Sequence, residues 1–295
     1  MFEILDLASK FKNDIELSHG TELTLRGTNI GLLFFEDSTR TRESFKAAAN
    51  RLGATYQGLD STDGTSVSKG ESFYDTARNM AGYCDLLVIR TPWDGSQKAI
   101  SERIEVPVVN AGDGANQHPT QTLLDLFSIR ETQKRLDDLS ITVIGDLKHG
   151  RTVHSLVQAM SGFGANFSFV SPKGLELPDE YKSFITDNGL SFSETADMEG
   201  AMRIADIVYM TRIQRERFGD PMDYEKAKGT YKITPTSLAG TKETMRIMHP
   251  LPRVDEITTD VDDDRRAYYF GQSKNGVYVR MAILYLLLRK WRLTK

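Results

Sequence analysis

The sequence predicts an α/β protein of two domains, each a parallel sheet flanked by helices. Three observations lead there. The chain has 295 residues, about twice the roughly 150 residues of one domain. Its strand-like segments are continuous apolar runs, as expected of strands buried on both faces. Between them lie segments with apolar residues three and four apart. Strand alternating with helix implies parallel pairing through right-handed crossovers.

In chain order, strands are predicted at Ile30–Phe35, Asp85–Ile89, Val106–Asn110, Ile141–Gly145, Asn166–Val170, Asp206–Met210 and Arg246–Met248. Phe45, Ala48, Ala49 and Leu52 share one helical face, as do Phe73, Ala77, Met80 and Ala81, and Val153, Leu156, Val157 and Met160. A long helix is predicted from near Pro119, where proline suits the first helical position, to about Arg135. The polar stretch Glu131 to Asp138 marks the domain boundary, giving residues 1–132 and 133–276. A last helix, Gly276 to Arg292, is apolar at Val279, Ala282, Ile283, Leu286 and Leu287. Its segment 277–295 is expected to pack back on the first domain.

Composition removes several classes. Hydrophobic residues make up 39% and charged residues 26%, a globular balance that excludes disorder over most of the chain. Lys plus Arg is 37 against 41 Asp plus Glu, a net charge of −4, so no general nucleic-acid coat is expected. The longest apolar run, Met281 to Leu288, is far short of the roughly 20 residues of a membrane span. The first residues carry an acid at Glu3 and no long apolar run, unlike a secretory signal. One cysteine, Cys84, allows no intrachain disulfide and suits a reducing, cytoplasmic setting.

The chemistry begins at residues 36 to 45, E-D-S-T-R-T-R-E-S-F, between a strand and a helix. Ser38, Thr39 and Thr41 set three hydroxyls around a helix N-terminus, whose free N–H groups and dipole favour an anion. Arg40 adds a planar fork suited to phosphate. An ordinary cap with surface arginines is the plainer alternative. The usual nucleotide signatures are missing: there is no G-x-x-x-x-G-K-[ST], and Gly162 and Gly164 end a helix without a third glycine. The five histidines include no i, i+4 pair, so no metal is expected, and no cofactor.

Further cations sit where strands end: Arg90 after D-L-L-V-I, Arg151 after I-T-V-I-G-D and its loop, Arg212 after D-I-V-Y-M-T. Ligands of open parallel sheets bind outside the carboxyl ends of strands. With Arg40, these arginines in an acidic chain predict a pocket for a polyanion. His118 precedes Pro119 at a helix start, which should lower its pKa and keep the imidazole neutral.

Taken together, S-T-R-T-R (38–42), H-P-T-Q (118–121), G-D-L-K-H-G-R-T-V-H-S (145–155) and H-P-L-P-R-V-D-E-I (249–257) resemble the carbamoyltransferase family, and within it the catalytic chains of the aspartate branch. H-P-L-P-R and T-R-I-Q (211–214) favour aspartate over ornithine. The resemblance implies carbamoyl phosphate and L-aspartate as substrates, with pyrimidine biosynthesis as the setting. It implies a carbamoyl-phosphate domain over 1–132, an aspartate domain over 133–276, an active site between them, and a homotrimer whose neighbouring subunits share each site. A regulatory chain is left open. Two departures appear: Thr91 where the family often has histidine, and Ser96 and Gln97 where it often has small residues.

Carried over residue by residue, the resemblance assigns Ser38, Thr39, Arg40 and Thr41 to the phosphate, with Arg90 reaching phosphate and carbonyl. Ser66 and Lys69 arrive from the next subunit, with Ser68 competing for the serine's part, and Lys69 also serves aspartate. Thr41, Arg90 and His118 donate to the carbamoyl oxygen. Gln121 and the backbone carbonyls of Leu251 and Pro252 hold the carbamoyl NH₂. Arg151, Arg212 and Gln214 hold the aspartate carboxylates. The polar stretch 214–234, without apolar period, is expected to close over aspartate. The rival readings are an ornithine-type carbamoyltransferase, a non-catalytic anion-binding protein, and a nucleotide-linked dehydrogenase, which lacks its glycine fingerprint.

Overall fold

The computed structural model describes residues 1–18, 24–61, 65–213, 220, 222, 224–225 and 228–294. In chain order its first elements are α1 (Phe2–Ser18), β1 (Asn29–Phe34), α2 (Thr39–Arg51), β2 (Thr55–Leu59), α3 (Phe73–Ala81), β3 (Leu86–Thr91), α4 (Ser96–Ser101), β4 (Val108–Asp113) and α5 (Pro119–Gln133). There follow β5 (Ser140–Ile144), α6 (Arg151–Ser161), β6 (Asn166–Val170), α7 (Asp179–Asp187), β7 (Phe192–Glu194), α8 (Met198–Ile204), β8 (Ile207–Met210), β9 (Arg246–Met248) and α9 (Tyr269–Thr294). The chain divides into two compact units, Met1–Phe127 with Lys274–Lys295, and Ser128–Ser273. Among the described residues no helix is long and apolar enough to cross a membrane.

The first unit is built on a parallel sheet of order β2-β1-β3-β4. β3 is buried at every position and β1 at all but Asn29, as their unbroken apolar runs require. Leu33, Leu87 and Ile89 pack with Ala77 of α3 and Ile100 of α4. The second unit has a parallel sheet of order β7-β6-β5-β8-β9. Its core joins Ile144, Val170, Val208 and Ile247 with Met202 of α8 and Tyr269. The predicted fold class is therefore the observed one.

Several sequence expectations are corrected. Two strands were absent from the predicted set. β2, T-Y-Q-G-L, is mostly exposed at the sheet edge, so it carries no apolar run. β7 is a three-residue edge strand. The last helix begins at Tyr269 rather than Gly276, because Gly271 and Gly276 are accommodated inside it. The strand predicted at Val106–Asn110 runs instead over Val108–Asp113, and the long fifth helix stops at Gln133.

Both sheets reverse their winding once. In the first, β1 lies between β2 and β3; in the second, β5 lies between β6 and β8. Such switch points open a crevice at the carboxyl ends of the two central strands.

Candidate active site

The predicted cations flank these two switch points. In the first unit, Ser38–Thr41 follow β1 and Arg90 lies near the end of β3, with Phe34 and Arg90 in register. In the second, Arg151 opens α6 after β5, and Arg212 follows β8.

At the start of α2, Ser38 is the N-cap residue, yet its side chain makes no capping bond. Thr39 and Arg40 are exposed and Thr41 is buried. The two arginines of the motif differ. Arg42 donates to Glu43 Oε1 at 3.0 Å and to the Asp60 carbonyl at 2.9 Å, so it braces α2 from behind. Arg40 is the one exposed in the helix's first turn.

Arg90 is buried, donates to the Ala111 carbonyl at 3.2 Å, and pairs with Glu36 at 3.0 Å. His118 is also buried. It is delivered by the loop after β4, which is wrapped around Asp113. That carboxylate accepts from Gly95 N, Gln117 N, Asn110 and Asn116 at 2.8–3.1 Å. Burial would raise the Asp113 pKa, but these donors outweigh it and hold the group below its ordinary value. His118 Nε2 comes to 3.4 Å from Thr41 Oγ1, which joins the S-T-R-T-R and H-P-T-Q motifs across 77 residues. Its Nδ1 is 3.5 Å from Thr120 Oγ1. Gln121 donates its amide nitrogen to the buried Asp125 at 2.9 Å, leaving Oε1 as its acceptor.

Sequence reasoning missed Arg280 of α9. It is wholly buried, lies 5.1 Å above the Phe45 ring, and donates to Thr120 Oγ1 at 3.4 Å. Burial pulls its pKa down to about 10, against the opposing charge of Asp125. The available signal was a lone arginine adjoining the apolar run that starts at Met281.

Ser66 and Lys69 lie on an exposed 3₁₀ turn. Ser68 Oγ donates to the Thr65 carbonyl at 2.7 Å and so closes its own turn.

In the second unit the loop to Arg151 is pinned by two histidines. Buried Asp146 accepts from His149 N and lies 3.1 Å from its Nδ1, and His154 Nε2 lies 2.9 Å from the Leu147 carbonyl. Burial lowers the His154 pKa. Gly145, at φ +117, directly follows β5; a Cβ there would meet the Thr211 carbonyl at 2.3 Å. Only glycine lets the residue before Arg212 come so close. Arg212 then lines a pocket with Tyr224, Lys228, Tyr231 and Glu256. Gln214 and most of the expected closing segment up to residue 227 lie outside the described residues.

Leu251 and Pro252 join through a cis peptide, and Leu251 has φ +54. His249 Nδ1 accepts from Leu251 N at 2.7 Å, and its Nε2 is 2.7 Å from Glu256 Oε1. The other Glu256 oxygen accepts from Val254 N and Asp255 N at 3.1 Å. Burial would raise the Glu256 pKa, yet the His249 contact and backbone donors bring it below its ordinary value.

Comparison with known proteins gives a consistent picture. Residues 1–131 match the family model "Aspartate/ornithine carbamoyltransferase, carbamoyl-P binding domain", and residues 137–287 match its "Asp/Orn binding domain". The chain is 49% identical over 286 residues to an aspartate carbamoyltransferase catalytic subunit of Methanocella arvoryzae, covering 97% of this chain and 92% of that one. It resembles the catalytic subunit of M. jannaschii aspartate transcarbamoylase with a TM-score of 0.91 at 46% identity, covering 98% and 94% of the two chains. The Trypanosoma cruzi aspartate transcarbamoylase in complex with carbamoyl phosphate and aspartate gives a TM-score of 0.87 at 37% identity, covering 96% and 91%.

Proposed function

The chain belongs to the aspartate/ornithine carbamoyltransferase family, and we propose a division of labour among its residues. The reaction is transfer of the carbamoyl group of carbamoyl phosphate to the amine of L-aspartate, giving N-carbamoyl-L-aspartate and phosphate. The first compact unit takes carbamoyl phosphate and the second takes L-aspartate. The observation that carries this reading is the placing of the assigned cations at the switch point of each sheet.

Ser38, Thr39, Arg40 and Thr41 bind the phosphate, where the first turn of α2 adds its N–H groups. Arg90 bridges phosphate and carbonyl oxygen, and the incoming phosphate competes with Glu36 for its guanidinium. Thr41, Arg90 and His118 donate to the carbonyl oxygen. Arg280 can only donate to Thr120 Oγ1, so that hydroxyl is free to give its own proton to His118 Nδ1. The imidazole proton then sits on Nε2, where an oxyanion needs a donor. Gln121 Oε1, its amide nitrogen committed to Asp125, accepts from the carbamoyl NH₂ together with the carbonyls of Leu251 and Pro252. Arg151, Arg212 and Gln214 bind the two carboxylates of aspartate.

The amine attacks the carbonyl carbon and a tetrahedral oxyanion forms. The carbon–oxygen bond to phosphate then breaks, and the departing phosphate takes the amine proton. Positioning and preorganised donors supply the rate. Ser66 and Lys69 complete the site of a neighbouring copy in a homotrimer. Ser66 is preferred over Ser68, whose proton is engaged within its own turn. The single Cys84 suits a reducing compartment, and we assign the cytoplasm.

The test is phosphate release from carbamoyl phosphate, with L-aspartate and L-ornithine as parallel acceptors. Turnover with aspartate alone is expected. Turnover with ornithine alone would overturn the acceptor half, and turnover with neither would overturn the transfer itself. Sedimentation showing a monomer would remove the roles given to Ser66 and Lys69.

A further inference from the structure

We propose that His249 and Glu256 form a positioning relay that fixes the backbone of Leu251 for its part in holding the carbamoyl NH₂. The inference rests on the role given above to the Leu251 carbonyl.

The proton positions follow from the donors. A backbone N–H can only donate, so the Leu251 amide makes His249 Nδ1 an acceptor without a proton. The single proton of the imidazole is therefore on Nε2, and it is given to Glu256 Oε1 at 2.7 Å. The second carboxylate oxygen takes the amides of Val254 and Asp255. His249 is itself anchored, since its own N–H donates to Gln272 Oε1 at 2.8 Å. Both residues are buried, at 1% and 7% exposure, so water competes little for these bonds. The segment from His249 to Glu256 is thus tied to itself from within.

That bracing has a definite object. Leu251 has φ +54, a left-handed conformation that a residue with a side chain keeps only where its surroundings hold it. Its amide is the group His249 grips. Fixing this amide fixes the peptide plane on one side of Leu251, and with it the orientation of the backbone that carries the two carbonyls.

Two near-isosteric variants of the full-length protein separate the two contacts. In His249→Asn, Oδ1 stands in the place of Nδ1 and keeps an acceptor for the Leu251 amide. In His249→Gln, the side-chain amide stands in the place of Nε2 and keeps the bond to Glu256, but the Leu251 amide loses its partner. Hydrogen exchange at the Leu251 amide reads the relay directly. The KM for carbamoyl phosphate, kcat, and inhibition by inorganic phosphate, which has no NH₂, read its use.

Expected for His249→Gln is exchange at Leu251 faster by about tenfold or more. The KM for carbamoyl phosphate should rise and kcat fall by a similar factor, while phosphate inhibition stays within about twofold. His249→Asn should show smaller changes in all of these. Unchanged exchange at Leu251 in His249→Gln overturns the relay, as does lost protection in His249→Asn, which covers the case where the glutamine variant does not fold. Faster exchange with unaltered carbamoyl phosphate kinetics supports the backbone contact and overturns the role of the Leu251 carbonyl. A lower melting temperature in both variants with all kinetic constants intact reduces the pair to a structural one and overturns the proposal.

Discussion

Thr120→Val tests whether the proton on His118 is set from behind. The substitution keeps the shape of a side chain that is 2% exposed and removes only the hydroxyl between Arg280 Nη2 and His118 Nδ1. One neutral hydrogen bond is worth about 0.5–1.5 kcal/mol net. At about 1.4 kcal/mol per tenfold, kcat should fall roughly 2- to 12-fold. His118→Ala removes a donor to the oxyanion itself and should reduce kcat by roughly 10²–10³. Because Thr120 acts only through His118, the two losses should not multiply. The double variant should match His118→Ala within about twofold in a steady-state assay at saturating substrates. If Thr120→Val reduces kcat by the same factor in the His118→Ala background as in the wild type, Thr120 acts elsewhere. In that event the tautomer argument fails.

Three further outcomes are expected. Arg40→Ala should reduce kcat by about 10² or more, because Arg42 is held by Glu43 and Asp60 and cannot substitute; near-normal steady-state kinetics would remove Arg40 from the site. Gly145→Ala forces a Cβ against the Thr211 carbonyl next to Arg212, and kcat/KM for aspartate should drop by roughly 10²-fold. Phosphate inhibition should stay unchanged, and equal damage to both would refute a local effect. Asp113 is held below its ordinary pKa of 3.8, so the stability it lends is present above that value and fades as pH falls through the lower, folded value. The difference in urea midpoint between wild type and Asp113→Asn should therefore be larger at about pH 7 than at about pH 3, and a constant difference would show that the charge is immaterial.

The parts of this molecule that were legible in the sequence are those whose signal is local. β1 and β3 announce themselves because a strand covered on both faces must be apolar at nearly every position. β2 gives no such signal, since an exposed edge strand can be T-Y-Q-G-L. Its Gly58 is explained only by the pairing: a Cβ there would meet the Leu32 carbonyl of β1 at 1.9 Å. The same division holds at the site. Three hydroxyls and an arginine at a strand-to-helix turn can be read from ten consecutive residues. The bond between Thr120 and Arg280 joins positions 160 residues apart, and nothing in either neighbourhood points to the other. His249 and Glu256 fall within one quoted motif, yet their contact depends on a turn whose geometry the letters do not display.

The two departures near Arg90 show how a change of residues can preserve a position. Register between β3 and β4 shifts between Ile89 and Thr91, just where Arg90 sits. Such an irregularity interrupts the ladder and leaves backbone groups to be satisfied by other means. Gln97 does this: its amide nitrogen donates to the Ile89 carbonyl at 3.2 Å and to the Gly112 carbonyl at 3.1 Å. These carbonyls flank Arg90 on one strand and Ala111 on the other, and Ala111 is the residue whose carbonyl holds the Arg90 guanidinium. Thr91 and Ser96, 2.5 Å apart at their hydroxyls, complete the buried polar patch, with Ser96 also donating to the Trp93 carbonyl at 2.8 Å. Residues that look like local irregularities in the sequence therefore work as one clamp across β3 and β4. That clamp lets a buried guanidinium stand at the end of an apolar strand in a chain whose net charge is −4.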